Sequence, residues 1–241
     1  MKITTLLANK NRDIKGNPIP TIAFLGDSVT QGCFELYQPV DGGIDTVFEG
    51  SNAYHARLKE LLQLFYPRCP VTMVNAGISG GKVGFGLERL ERDVLSFHPD
   101  LTVVSFGLND CGKGEDTMPM YAETLREIFT RLQAAGSEVI FLTQNMMNTK
   151  LSHRLKGDIY VEIAEKCMKN QNDGVLERFF EAAKKVAAEC NVPVCDMYAY
   201  WKRLYESGVD TTELLSNAIN HPVRDMHRIT AHQLWNTILE N

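Results

Sequence analysis

The sequence contains no run of about 18 consecutive apolar residues, so it offers no candidate for a membrane-spanning helix. Its first residues, MKITTLLANKNRDIKG, hold only a short apolar run, broken by Thr4, Thr5 and Asn9, with no small-residue cleavage site behind it. That pattern reads as no secretory signal and predicts a cytoplasmic protein with no membrane partner. Basic residues do not predominate: 25 Lys and Arg stand against 30 Asp and Glu, a net charge of −5. A nucleic-acid partner would call for a basic face, so none is expected. The six cysteines, Cys33, Cys69, Cys111, Cys167, Cys190 and Cys195, form no C-x-x-C pair. That spacing argues against a disulfide framework and for reduced thiols. The loop after the first apolar run carries neither a G-x-x-x-x-G-K-[ST] nor a G-x-G-x-x-G pattern, which leaves a nucleotide or flavin site without its usual phosphate cradle. Internal repeats, low-complexity tracts and linkers are also missing, and 241 residues are enough for one self-sufficient core.

What is present is alternation. Short, continuous, β-branched apolar runs lie at 21–25, 71–75, 101–106, 138–143 and 192–196. Continuous rather than alternating runs mark strands covered on both faces. Between them, apolar residues recur at helical spacing: Tyr54, Leu58, Leu61, Leu62 and Phe65; Val83, Leu87, Leu90, Val94 and Phe97; Tyr121, Leu125, Ile128, Phe129 and Leu132; Leu176, Phe179, Ala183 and Val186; and a last segment from about 223 to 239. Strand–helix–strand repetition predicts right-handed crossovers, hence an α/β fold with a parallel five-stranded sheet and helices on both faces. Ligands of such sheets bind at the carboxyl ends of the strands, near a switch in strand order. The segments to inspect are therefore 26–28, 75–80, 107–110, 144–147 and Met197 onward.

The first apolar run stops at Gly26-Asp27-Ser28. Asp27 and Ser28 could simply cap the next helix, or Ser28 could be a nucleophile. A serine hydroxyl needs a base, and the oxyanion it generates needs hydrogen-bond donors placed in advance. Glycine-turn N–H groups and an asparagine amide are suitable donors, which points to the N–H groups of Ser28 and Gly80 and the side chain of Asn109. Among six histidines, His221 stands apart. It lies in a turn just before the last helix, with Pro222 suited to a first helical position. His227 and His232 are five residues apart, poor spacing for one metal-binding face.

Four blocks in order resemble those of the SGNH, or GDSL-type, hydrolase family: Gly26-Asp27-Ser28, Asn75-Ala76-Gly77-Ile78-Ser79-Gly80, Gly107-Leu108-Asn109-Asp110, and Asn220-His221-Pro222 with the residues after it. Together they span about residues 21 to 240. The resemblance implies a three-layer α/β/α, flavodoxin-like, doubly wound sheet and a serine esterase mechanism with no metal or cofactor. It also implies structural roles for Asp27, which holds the nucleophile turn, and Asn75, which ties loops together. Asp110 is expected to cap the segment after the third strand.

The family usually places an aspartate three or four residues before the histidine; here those positions hold Ala218 and Asn217. A Ser28–His221 dyad oriented by Asn217 is the expected arrangement, with a backbone carbonyl or Asp225 as alternatives. Segments 33–53 and 146–173 are expected to be long loops that shape the pocket, with Phe34, Tyr37, Phe48, Met146, Met147 and Tyr160 among their residues. By family analogy the expected substrates are short-chain carboxylic esters, above all O-acetyl groups on small carbohydrates. An acyl-CoA thioesterase or lysophospholipase using the same residues, and a ligand-binding protein without turnover, are the alternatives.

Overall fold

The computed structural model describes all residues from 1 to 241. Its elements run α1 (Lys2–Arg12), β1 (Thr21–Gly26), α2 (Ser28–Gln31), β2 (Cys33–Tyr37), β3 (Asp45–Phe48), α3 (Tyr54–Phe65), β4 (Thr72–Gly77), α4 (Val83–Glu88), α5 (Leu90–Asp93), β5 (Leu101–Ser105), α6 (Met118–Ala134), β6 (Glu138–Thr143), α7 (Asp158–Asn172), α8 (Val175–Glu189), β7 (Val194–Asp196), α9 (Met197–Glu206) and α10 (Arg224–Glu240), with short 3₁₀ turns between. Five strands form one sheet in the order β4-β1-β5-β6-β7, every pairing parallel. The chain steps from β1 to β4 on one side and then returns to lay β5 on the other. That reversal puts the switch point at β1, and Ser28 follows it directly.

Burial explains the continuous apolar runs. Every residue of β5 is buried, and so is β1 from Ile22 onward, because helices cover both faces. The edge strand β4 is more exposed. On one face α3 packs on α10; on the other α6 lies against α4 and α8. The apolar stripe of α6 is wholly buried, and Gly136 (φ 88°) carries the chain out of that helix in a conformation that glycine adopts without strain. Fifty buried residues form one contiguous core cluster. No helix is long and apolar enough to cross a membrane.

Four elements depart from the expectations drawn from the sequence: the single helical stripe from Val83 to Phe97 is broken into α4, α5 and a 3₁₀ turn, with Phe97 exposed, and three further segments differ. Residues 2–12 form a helix that buries Ile3 and Leu7. Its first N–H groups have no local cap; those of Lys2 and Ile3 donate instead to the carboxylate of Glu138, both at 2.7 Å. Segment 33–53 is not simply a loop, since β2 and β3 pair antiparallel within it. Segment 146–173 contains α7 over most of its second half; Met147 is buried in the core, and Met146, also largely buried, borders a cavity with Thr149, Gln171 and Tyr198.

Candidate active site

The carboxyl ends of β1 and β4 are held together by a buried arginine. Arg89 donates to the carbonyls of Ala76 (2.6 Å) and Gly26 (2.8 Å), so one guanidinium bridges the ends of both strands. Ile78 N–H also donates to the Gly26 carbonyl. The 78–81 loop therefore lies over the turn that carries Ser28.

That turn is short. Asp27 caps α2 by accepting the Val29 N–H at 3.0 Å, and α2 ends after one turn at Gly32 (φ 97°), where an added Cβ would meet the Gly50 backbone at 2.9 Å. The Asp27 carboxyl is fully buried. Both of its oxygens accept from Gln144 Nε2, at 2.9 and 2.8 Å, and Oδ2 also accepts from Asn109 Nδ2 at 3.2 Å. Burial pushes this carboxyl up to about 7, against the pull of the Gln144 and Val29 hydrogen bonds. Gln144 is held in turn by Leu108 N–H, which donates to its Oε1. Asn75 Nδ2 donates to the Gln31 carbonyl and Asn75 Oδ1 accepts from Gly77 N–H, so this side chain links β4 to the end of α2.

Ser28 and His221 meet. Nε2 of His221 lies 3.0 Å from Ser28 Oγ, and both side chains are buried. The other ring nitrogen, Nδ1, lies 2.8 Å from the backbone oxygen of Phe34 on β2. A carbonyl can only accept, so Nδ1 carries the proton and Nε2 presents its lone pair to the serine hydroxyl. Burial lowers the His221 pKa to about 4, opposed by the Phe34 carbonyl and the charge of Glu35. The imidazole is therefore neutral at neutral pH, as a general base must be.

Asn217 does not reach the ring. Its Oδ1 accepts the N–H groups of Ile219, Asn220 and His221 at 2.9, 2.9 and 3.0 Å, and its Nδ2 donates to Asn220 Oδ1. It folds the turn that carries the histidine, while the backbone of Phe34 takes the orienting position expected of it. Asp225 is also elsewhere: it is exposed and pairs with Arg228. Asp110 reaches past the segment after β5 and caps α4, accepting the Val83 N–H at 3.0 Å.

The three expected oxyanion donors are not equivalent. Neither the Ser28 N–H nor the Gly80 N–H donates to another protein group. Gly80 has φ 71° and open space where a Cβ would stand. The Asn109 amide is occupied: its two hydrogens go to the Gly81 carbonyl at 3.0 Å and to Asp27 Oδ2 at 3.2 Å.

Beside the histidine turn lies a cavity of about 250 Å³. Glu35 and Leu36 come to it from β2, Arg154, Leu155, Lys156 and Tyr160 from the 146–173 segment, and Ser216, Asn217 and Ala218 from the turn before His221. It is smaller than the roughly 300–1,000 Å³ of pockets that enclose drug-sized ligands.

The blocks that build this arrangement also match a family model. Residues 24–229 fit the model of the GDSL-like lipase/acylhydrolase family. The chain belongs to that family. It is 30% identical over 131 residues to an acetylxylan esterase of Geobacillus stearothermophilus, a match covering 51% of this chain and 58% of that protein. Among solved structures, a Geobacillus stearothermophilus acetylxylan esterase superposes with a TM-score of 0.67 at 22% identity, over 91% of this chain and 94% of that one. A two-domain esterase described as active on acetylated mannans gives a TM-score of 0.69 at 19% identity, over 99% of this chain and 52% of that one. The chain thus spans little more than half the length of two of these three relatives. The two superpositions show the same three-layer α/β fold.

Several contributors had no reading in the sequence. Gln144 sits at a strand end marked for inspection, but nothing there announces its bond to Asp27. Arg89 lies inside an amphipathic segment, where it resembles any surface arginine. The Phe34 carbonyl has no sequence signal, because every residue offers one.

Proposed function

We propose that this chain is a serine esterase that removes short acyl groups, acetyl foremost, from small carbohydrates through an acyl-serine intermediate. The observation that carries the reading is the placement of a neutral His221 between Ser28 Oγ and an acceptor-only carbonyl. Ser28 Oγ attacks the ester carbonyl while Nε2 takes its proton, and Nε2–H then protonates the departing alkoxide. Water, deprotonated by the same nitrogen, attacks the acyl-serine, and Nε2–H returns the proton to Ser28 Oγ as the carboxylic acid leaves. The oxyanion is held by the Ser28 and Gly80 N–H groups. Asn109 joins them by exchanging its longer bond, to Asp27, for one to the oxyanion. Asp27, Gln144 and Asn75 hold this frame, and Asn217 shapes the histidine turn. The chemistry asks nothing of a metal or cofactor. In this reading residues 1–241 act as one cytoplasmic unit.

The preference for small acyl groups and sugars rests on the names borne by the relatives, which are acetyl-carbohydrate esterases; the cavity beside the histidine turn, with its mixed polar wall, is a candidate for the sugar side. Initial rates on p-nitrophenyl acetate, butyrate and octanoate, and on acetylated xylo- and manno-oligosaccharides, test it. Acetate is expected to lead, and Ser28→Ala to lose at least about 10⁴-fold in kcat while remaining folded. Preference for octanoate, or for acetyl-CoA assayed alongside, or substantial turnover by the serine variant, contradicts the reading.

A further inference from the structure

Arg224 opens α10 three residues after His221, at the end of a helix where the dipole disfavours a cation. Its guanidinium is compensated by two carboxylates. Nη1 and Nη2 donate to the two oxygens of Glu35 at 2.6 and 3.0 Å, and Nε donates to Glu49 at 2.8 Å, with Nη2 reaching the second Glu49 oxygen. Glu35 lies on β2, next to Phe34, and Glu49 follows β3, so one side chain grips both strands of the hairpin. The same guanidinium lies over the Phe34 ring, 4.3 Å from its centroid, and the ring packs against His227 at 5.1 Å.

The hairpin's only partner in regular pairing is itself, yet it supplies the acceptor for the histidine. Something outside it must fix where Phe34 sits. We propose that Arg224 is a positioning residue for catalysis: it clamps the β2–β3 hairpin so that the Phe34 carbonyl meets His221 Nδ1–H and holds the ring in its basic tautomer. The clamp and the histidine belong to one turn of chain, so the distance between acceptor and ring is set locally. The three side chains are partly exposed, so the ion pairs are worth little as stability. Their effect lies in geometry, where a displacement of about 1 Å can cost a hundredfold in rate.

The kinetic arm of the test rests on the esterase reading; the spectroscopic arm does not. In ¹⁵N-histidine-labelled protein at pH 7, His221 is expected as a single Nδ1–H tautomer with a protected ring proton. In Arg224→Met that proton is expected to exchange at least about tenfold faster and the tautomers to mix, while kcat on p-nitrophenyl acetate falls roughly 10- to 100-fold and KM stays within about twofold. Arg224→Lys, which keeps a charge without the two-carboxylate fork, is expected to recover part of the loss. If Arg224→Met does not fold, Glu49→Gln removes half of the clamp at its rim and carries the same readouts. A folded variant that keeps one protected Nδ1–H tautomer and wild-type kcat overturns the proposal. Absence of turnover in the wild type would sink the esterase reading and still leave the ring spectrum to decide the clamp.

Discussion

At the scale of single residues, the site divides by which atoms do the work. The meeting of Ser28 with His221, and the roles proposed for Gly80 and Asn109, could be read from the sequence because each rests on a side chain or a glycine turn. A backbone carbonyl was among the alternatives for orienting His221, but nothing marked Phe34 as the one, since it lies on a hairpin 187 residues away in sequence. Asn217 shows the consequence. Its spacing from the histidine suggested an orienter, but its amide oxygen is spent on three N–H groups of the turn. Asn217→Asp retains that acceptor and is expected to keep kcat/KM within about threefold, losing only the bond from Nδ2. Asn217→Ala leaves buried N–H groups unpaired and is expected to cost roughly 2 kcal/mol and to lower kcat through a displaced His221. Urea unfolding and steady-state kinetics on both variants check the contrast; equal losses in the two would show that the Asn217 oxygen is not what holds the turn.

At the scale of elements, the sheet and the crossover helices α3, α6, α8 and α10 follow from periodicity, since β1 and β5 are buried on both faces and the stripes of α6 and α8 face the core, whereas the stripe from Val83 to Phe97 is split at Arg89 and Val94. The elements that escaped draw their stability from partners distant in sequence. Residues 2–12 carry Thr4, Thr5 and Asn9, weak helix formers, and no capping residue. Glu138, at the start of β6, supplies the missing cap. Glu138→Ala is therefore expected to destabilise the protein by roughly 1–2 kcal/mol. Amide hydrogen exchange should show the loss concentrated in residues 2–12, with kcat unchanged because the helix is remote from Ser28; uniform protection across those residues in the variant would refute the capping role. The β2–β3 hairpin escaped because its tip, residues 38–44, separates two short strands by more than a tight turn.

At the scale of the whole molecule, burial of titratable groups gives the fold a pH dependence. His55, His221 and His227 are held neutral by burial, with pKa values lowered to about 4, 4 and 3. An unfolded imidazole titrates near 6.5, so the stability these groups contribute is fully present above that value and is lost as pH falls toward 4. Asp27 and Asp110 act in the opposite sense. Burial raises them to about 7 and about 6, so in mildly acidic solution the folded chain keeps protons that unfolded carboxyls release. Between pH 5 and 6.5, three imidazoles outweigh two carboxyls by about one proton, and stability is expected to fall by roughly 1 kcal/mol per pH unit as the solution is acidified. His55→Gln removes one of the three imidazoles and should bring that slope near zero. Urea titrations at several pH values measure it; an unchanged slope in the variant would show that His55 is not held neutral.

The claim at the centre of the account is that Ser28 is the one activated hydroxyl in this molecule. Incubation with a fluorophosphonate, followed by intact-mass measurement and peptide mapping, tests it most directly. The expected result is a single adduct on Ser28 in the wild type, formed far more slowly in His221→Ala and not at all in Ser28→Ala. A folded wild-type protein that stays unlabelled, or an adduct that maps to another residue, contradicts it.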